Sequence, residues 1–363
     1  MDNPNNEKYL IHADSKPFFS EKDIKRFSKT VGDDYVDKKQ LDLTDEELEC
    51  MSLTDGAEMC RLYKWFHSQV KPDDTDEKRA ASARRLGRIG EALSKKITSA
   101  DEIYCLYSKI TGDPYLYSHT FKENGNYVCT APNLRLFTRA YLSQAEKTYP
   151  SKFFEIKRVS AGDDRKGILE FLTERFYSDG AVGAEINGDY AALPSSAIVS
   201  PPDFGNTPRN EIPVTNPALR RWLILSAQMP APSSENEKLV SKLYYRMASS
   251  EAVKARFLVP VEEPCGDRSD SEVLKLVSGE EYLLCTAENT EKDKLRVSIF
   301  TDIGKVPSEF KDKKMLSMKL SQLCGTYDIV INPSDRYRSG LIVNSEILEN
   351  MEKAAGVSRK ENE

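Results

Sequence analysis

Histidine is scarce in this chain, with three among 363 residues, and His12, His67 and His119 fall in different segments. A histidine metal centre or a Cys–His nucleophile needs side chains converging within a few ångström, so this scatter argues against both. His67 and Cys60 stand seven positions apart and could share a helix face, but the expected reading is an ordinary histidine near a helix end. The seven cysteines, Cys50, Cys60, Cys105, Cys129, Cys265, Cys285 and Cys324, include no C-x-x-C pair. Their odd number and wide spacing argue against a disulfide framework and a zinc knuckle. Cysteines in apolar runs, as in Leu283-Leu284-Cys285, are expected to act as small buried hydrophobes in a reducing compartment. No apolar run approaches the ~20 residues that span a bilayer; the longest candidate is Trp222 to Ala227. The start, Met1-Asp-Asn-Pro-Asn-Asn-Glu-Lys8, lacks the basic residues and apolar run of a signal peptide. A cytoplasmic protein without membrane attachment is the expectation.

Charge of one sign is not in excess either. The net charge is -6, from 52 Lys plus Arg against 58 Asp plus Glu. A mildly acidic chain repels phosphate backbones unless its cations form a stripe, so nucleic acid is not an expected partner. The densest cationic stretch is Lys78, Arg79, Arg84, Arg85 and Arg88, opposite Ala83, Leu86, Ile89 or Gly90, Leu93 and Ile97. It reads as the solvated face of an amphipathic helix. No phosphate-binding loop is present, since Gly87-x-x-Gly90 lies inside that helical pattern, where small residues permit close helix packing. Gly162-Asp163-Asp164 offers paired carboxylates, but with Arg165, Lys166 and Gly167 it reads as a loop entering a helix at Ile168, where the dipole favours acids. No catalytic residue, metal ligand or cofactor site is expected.

What the chain does have is internal correspondence. The hydrophobic fraction of 39%, with 17 Tyr and 14 Phe, supplies ordinary cores, and this length divides into two or three domains of about 150 residues. Residues 1–77 read as a helical N-terminal segment. Thr44-Asp-Glu-Glu47 has the form of a capping box, and Met59, Leu62, Tyr63, Phe66 and Val70 mark one helix face. A linker follows at 200–215, rich in Pro and Gly, which excludes helix and central strand. On either side the order of features repeats. Tyr127-Val-Cys-Thr-Ala131 and Leu136-Phe137-Thr138 precede a helix carrying Ile168, Leu169, Leu172 and Phe176, then Gly180 and a strand ending at Asn187. Tyr282-Leu-Leu-Cys-Thr-Ala287 and Ile299-Phe300-Thr301 precede a helix carrying Leu316, Leu320 and Leu323, then Gly325 and a strand ending at Asn332. Glycine to asparagine is seven positions in both, 187 − 180 and 332 − 325. Upstream, Ser99 to Ile110 reads as a capped helix, with Pro114-Tyr-Leu-Tyr117 as the strand matching Arg256 to Val261. Asn216-Pro217 reads as a helix start. Expected, therefore, is an α+β (mixed α/β) fold of two tandem similar domains, 78–199 and 216–352, with helices packed on a mixed sheet and a charged tail at 353–363.

The second copy resembles a known family. The helix start at Asn216, the Phe257-Leu-Val-Pro-Val261 strand, the Ile299-Phe300-Thr301 strand end and the Ile329-Val-Ile-Asn-Pro333 turn are similar, in this order, to the N-terminal domain of the SseB family, named for enhanced serine sensitivity. The match covers residues 216–352. The first copy keeps Phe137-Thr138 and Asn187 but has Gly188 where the second has Pro333. The resemblance implies a cytoplasmic bacterial protein without established enzymatic activity, and it supplies no catalytic residue.

The turns after the repeated strand hold the candidate site. Asn187-Gly188-Asp189 is a hairpin signal, because its residues tolerate positive φ. The longer Asn332 to Arg338 turn brings Asp335, Arg336, Tyr337 and Arg338 together. A guanidinium pair beside an aromatic suits a carboxylate or a protein partner. The functional expectation is a non-enzymatic binding or regulatory protein with a protein partner or small ligand. An enzyme with a site between the copies, and an immunity-type or scaffold protein acting by surface complementarity, are the alternatives.

Overall fold

A computed structural model describes residues 42–123, 126–208, 211–264, 273–276, 278–289, 295–333 and 341–356. The chain divides into two compact units. Of the described residues, the first holds those up to Lys109 with Asn133–Glu174 and Val182–Pro201; the second holds those within Ile110–Pro132, Arg175–Ala181 and those from Pro202 on.

The described chain opens with helices α1 (Asp45–Cys50), α2 (Leu53–Ser68) and α3 (Asp76–Ser99). The expected capping box starts α1: the Glu47 amide donates to the Thr44 hydroxyl at 3.1 Å, and the Thr44 amide donates to the Glu47 carboxylate at 2.7 Å. Helix α2 buries Ala57, Met59, Leu62, Tyr63 and Phe66 and packs on α3, which buries Ile89, Leu93 and Ile97. Residues 43–77 therefore group with the first unit rather than standing apart as a segment of their own. A single helix with one apolar face has to bury it somewhere. The close approach lies at Gly56, where a β-carbon would fall 2.7 Å from Leu93 Cδ2. Gly87 has open space and Gly90 nothing nearer than 3.9 Å, so the expected tight packing at that pair does not occur. The cationic stretch is only partly a solvated face, since Arg85 is 5% exposed and pairs with Asp42, and Arg88 pairs with Asp45 at 2.7 Å.

Next come β1 (Glu102–Ser108), β2 (Leu116–Tyr117), β3 (Thr120–Glu123), β4 (Asn126–Cys129), β5 (Asn133–Phe137), α4 (Leu142–Thr148), β6 (Phe154–Ser160), α5 (Gly167–Tyr177), β7 (Gly183–Ile186), β8 (Ala191–Pro194) and α6 (Ser195–Ile198). The segment from Ser99 to Ile110 was expected to be a helix, but it is the strand β1. Ile103, Leu106, Tyr107 and Ile110 fit a helical period, yet Ile103 and Cys105 also alternate, and the run is rich in β-branched and aromatic residues. Pairing along its whole length with β6 decides the matter. In the first unit the strand order is β6-β1-β5-β7-β8, antiparallel except for the parallel pair β5–β7.

No helix or strand occupies the described part of 200–215. Beyond it lie α7 (Pro217–Gln228), α8 (Glu235–Ala252), β9 (Phe257–Glu262), β10 (Val273–Lys275), β11 (Glu281–Leu284), β12 (Ala287–Asn289), β13 (Leu295–Ile299), β14 (Lys314–Met318), β15 (Asp328–Ile331), β16 (Leu341–Val343) and α9 (Ser345–Ala355). The expected helix at Leu316, Leu320 and Leu323 is a correction. Lys314–Met318 is a strand paired with β9, and only a 3-10 turn, Leu320–Gln322, follows. Hydrogen bonds to a neighbouring strand override an apolar period carried by three leucines. Gly180 is left-handed at φ +83, and a β-carbon there would meet the Pro217 carbonyl, while Gly325 has ordinary φ. Asn216 precedes the helix as expected but does not cap it with its side chain; its amide donates to the carbonyls of Arg256 at 2.7 Å and Thr301 at 2.8 Å.

In the second unit β14 pairs antiparallel with β9, and Leu258 and Phe300 exchange two backbone hydrogen bonds of 2.8 and 3.0 Å that join β9 to the end of β13. Strand β13 runs parallel to β15, and β15 antiparallel to β16. The second unit thus has two sheets, β10-β11-β9-β14 and β12-β13-β15-β16, joined by the Leu258–Phe300 bridge, and across that bridge β14, β9, β13, β15 and β16 follow one another with the directions of β6, β1, β5, β7 and β8. The fold is α+β, and no helix among the described residues is long and apolar enough to cross a membrane.

Candidate functional site

In each unit the parallel strand pair ends in the same arrangement. Asn187 leaves β7 at φ +53, its backbone N–H donating to Leu136 O at 2.8 Å. Its side-chain oxygen accepts the Thr138 amide at 2.9 Å, and its amide donates to the Thr138 hydroxyl at 3.2 Å. Asn332 leaves β15 at φ +47, and its N–H donates to Ile299 O at 2.9 Å. Its side chain accepts the Thr301 amide at 3.0 Å and donates to the Thr301 hydroxyl at 2.9 Å. Asparagine suits this post because it tolerates the left-handed region and carries both an acceptor and a donor. The Phe-Thr strand end and the asparagine seven residues after the glycine are therefore two halves of one lock.

Beyond this lock the two hairpins begin. Asp335, Arg336, Tyr337 and Arg338 lie outside the described residues. The first hairpin is described fully. Asn187 and Gly188 take positive φ, +53 and +77, as a tight turn between antiparallel strands requires. Helix α2 rests on the residues that follow. Arg61 donates to the Tyr190 hydroxyl at 2.6 Å and its guanidinium lies 4.4 Å from the ring centroid, while Lys64 donates to the Asp189 carbonyl. Tyr141 meets Tyr190 edge to face at 5.2 Å.

Under this contact sits Glu58, 6% exposed, with one carboxyl oxygen that has no hydrogen-bond partner among the described residues. Burial pushes its carboxyl up to about 7; Arg61 and the Tyr190 hydroxyl oppose the rise and Asp55 adds to it. Burial, with help from Glu58, lifts Tyr190 to about 12, and it raises Tyr141 as well. A carboxyl that changes charge near neutrality, one phenol in contact with a guanidinium and a second phenol nearby can hold or release a proton. Sequence reasoning found the hairpin but missed Glu58, whose only signal was an acid among the buried positions of α2.

The remaining candidates separate. His67 shares a 3.0 Å contact with the Ser82 hydroxyl, and burial pushes the Cys60 thiol up to about 11, away from a reactive thiolate. Asp163 and Asp164 are exposed in the expected loop, where the Asp164 carboxylate accepts the Lys166 amide at 3.1 Å. Among the described residues no group of three His, Cys, Asp or Glu could hold a metal ion. In the second unit a buried ionic cluster stands apart from the hairpins: Asp179 pairs with Arg175 and, at 3.0 Å, with Arg220. Nearby Asp113 is shifted upward chiefly by burial, with Asp179 adding to the rise and Lys305, Arg220 and Arg175 opposing it. No protein-family model matches this chain, and no curated protein or solved structure shows significant similarity to it.

Proposed function

We propose that this chain is a non-enzymatic cytoplasmic binding or regulatory protein, built from two units of one SseB-like architecture, and that its second hairpin binds a carboxylate-bearing protein partner. The observation that carries the reading is the shared lock. Thr138–Asn187 and Thr301–Asn332 close the end of a parallel strand pair in the same way. In the first unit the hairpin that follows receives a helix, and the hairpin's Tyr190 hydroxyl accepts from Arg61 and its Asp189 carbonyl from Lys64. The second hairpin carries the opposite chemistry in Arg336, Tyr337 and Arg338. It suits a partner segment that offers carboxylates, since paired guanidiniums bind them with two parallel hydrogen bonds. Arg and Tyr are also the residue types that most often carry interface energy. The test is affinity capture from source cells with the wild type and with Arg336→Ala/Arg338→Ala. Loss of the captured partner, with circular dichroism and melting unchanged, supports the reading; full retention refutes it.

A further inference from the structure

We propose that Glu58 makes the seating of α2 on the Asn187–Tyr190 hairpin depend on pH, holding the helix down while the carboxyl is neutral and loosening it on ionisation. The geometry leaves the ionised form poorly served. Glu58 is 6% exposed, and one of its oxygens has no donor among the described residues. The Arg61 charge and the Tyr190 hydroxyl favour the ionised form, but burial outweighs them, and the other charged groups around it are engaged elsewhere or carry the same sign. On α2, Arg61 serves the Tyr190 hydroxyl and Lys64 the Asp189 carbonyl. Asp55, buried one turn earlier, is a second acid. From the hairpin come Asp189 and Tyr190, and from the 3-10 turn Arg139–Tyr141 comes Tyr141; both phenols stay neutral at physiological pH. From α3, packed against α2, Arg85 and Arg88 pair with Asp42 and Asp45. Strand β8, Ala191–Pro194, brings no charge.

Opening of the helix returns the carboxyl to water and its ordinary range. A group that binds its proton more tightly when buried favours the seated helix at low pH. The open fraction therefore rises between about pH 4.5 and 7 and levels off above, because both states are then ionised. A shift from 4.5 to about 7 corresponds to an opening constant that grows by roughly 100-fold or more across that interval.

Hydrogen exchange of the α2 amides Ala57–Phe66 in the full chain, expressed as protection factors from pH 5 to 8, tests this in the wild type and in Glu58→Gln. Protection in the wild type is expected to fall at least tenfold up to pH 7 and then flatten, while Glu58→Gln keeps high protection throughout. Equal pH dependence in both proteins overturns the proposal. Should Glu58→Gln fail to fold, carbon-detected NMR titration of the Glu58 carboxyl in the wild type decides: a midpoint near 7 supports it and one below 5 overturns it.

Discussion

Replacing Asn332 with alanine removes three supports at one point. The Thr301 amide loses its acceptor, the Thr301 hydroxyl loses a donor, and a residue with a β-carbon but no local hydrogen bond is left at φ +47. Thr301 is fully buried and Asn332 is 4% exposed, so water does not replace the lost partners. An unsatisfied buried amide costs about 1–3 kcal/mol. The left-handed conformation costs a non-glycine residue a further ~1–2 kcal/mol, part of which asparagine already bears. The expected loss for Asn332→Ala is about 2–4 kcal/mol, and for Asn332→Gly about 1 kcal/mol less, since glycine relieves the backbone alone. Asn187→Ala is expected to lose the same amount within about 1 kcal/mol, because its bonds and φ match. The two tryptophans allow each unit to be read separately: Trp65 lies in the first unit on α2 and Trp222 in the second on α7. Urea unfolding followed by fluorescence in Trp65→Phe and Trp222→Phe backgrounds then assigns each loss. A cost under 1 kcal/mol at either asparagine, or a large cost at only one, would refute the reasoning that the two locks are equivalent.

Further outcomes follow from other parts of the structure. Asp179→Ala strips the counter-charge from two buried guanidiniums and is expected to destabilise the second unit by about 3–5 kcal/mol, read by Trp222 fluorescence; a loss below 1 kcal/mol contradicts the pairing. Gly180→Ala places a methyl against the Pro217 carbonyl and in a left-handed backbone, so soluble yield of this variant should collapse, whereas Gly87→Ala, which meets nothing, should leave melting unchanged or raise it. For Glu58 the folded carboxyl titrates above its unfolded value, so the penalty on stability grows from about pH 4.5 to 7 and is constant beyond. Glu58→Gln should be more stable than wild type at pH 8 by at most about 3 kcal/mol, with the gap closing towards pH 4.5 in denaturant titrations.

The elements legible in the sequence were those with a local signal. Thr44 and Glu47 announced a capped helix, and Asn187-Gly188 announced a tight turn; both depend on contacts within a few residues. The recurrence of Phe-Thr and Asn pointed to the shared strand ends, although the lock between them became visible only in three dimensions. Strands β1 and β14 were misread because a short apolar run satisfies two periods, and only the neighbouring strand chooses between them. The ionic cluster left no pattern at all. Arg220 reaches Asp179 across 41 positions, and a buried charge has no periodicity. Glu58 escaped notice for a related reason, since an acid on a helix is ordinary until the far side of the fold covers it.

Site-specific photo-cross-linking addresses the central functional claim directly. A benzophenone amino acid in place of Tyr337, irradiated in source cells, is expected to yield a covalent adduct with another protein, and the same residue in place of Tyr190 only cross-links within the chain, because α2 already covers that hairpin. Arg336→Ala/Arg338→Ala should abolish the adduct at 337. An intermolecular adduct at 190 with none at 337 would contradict the account.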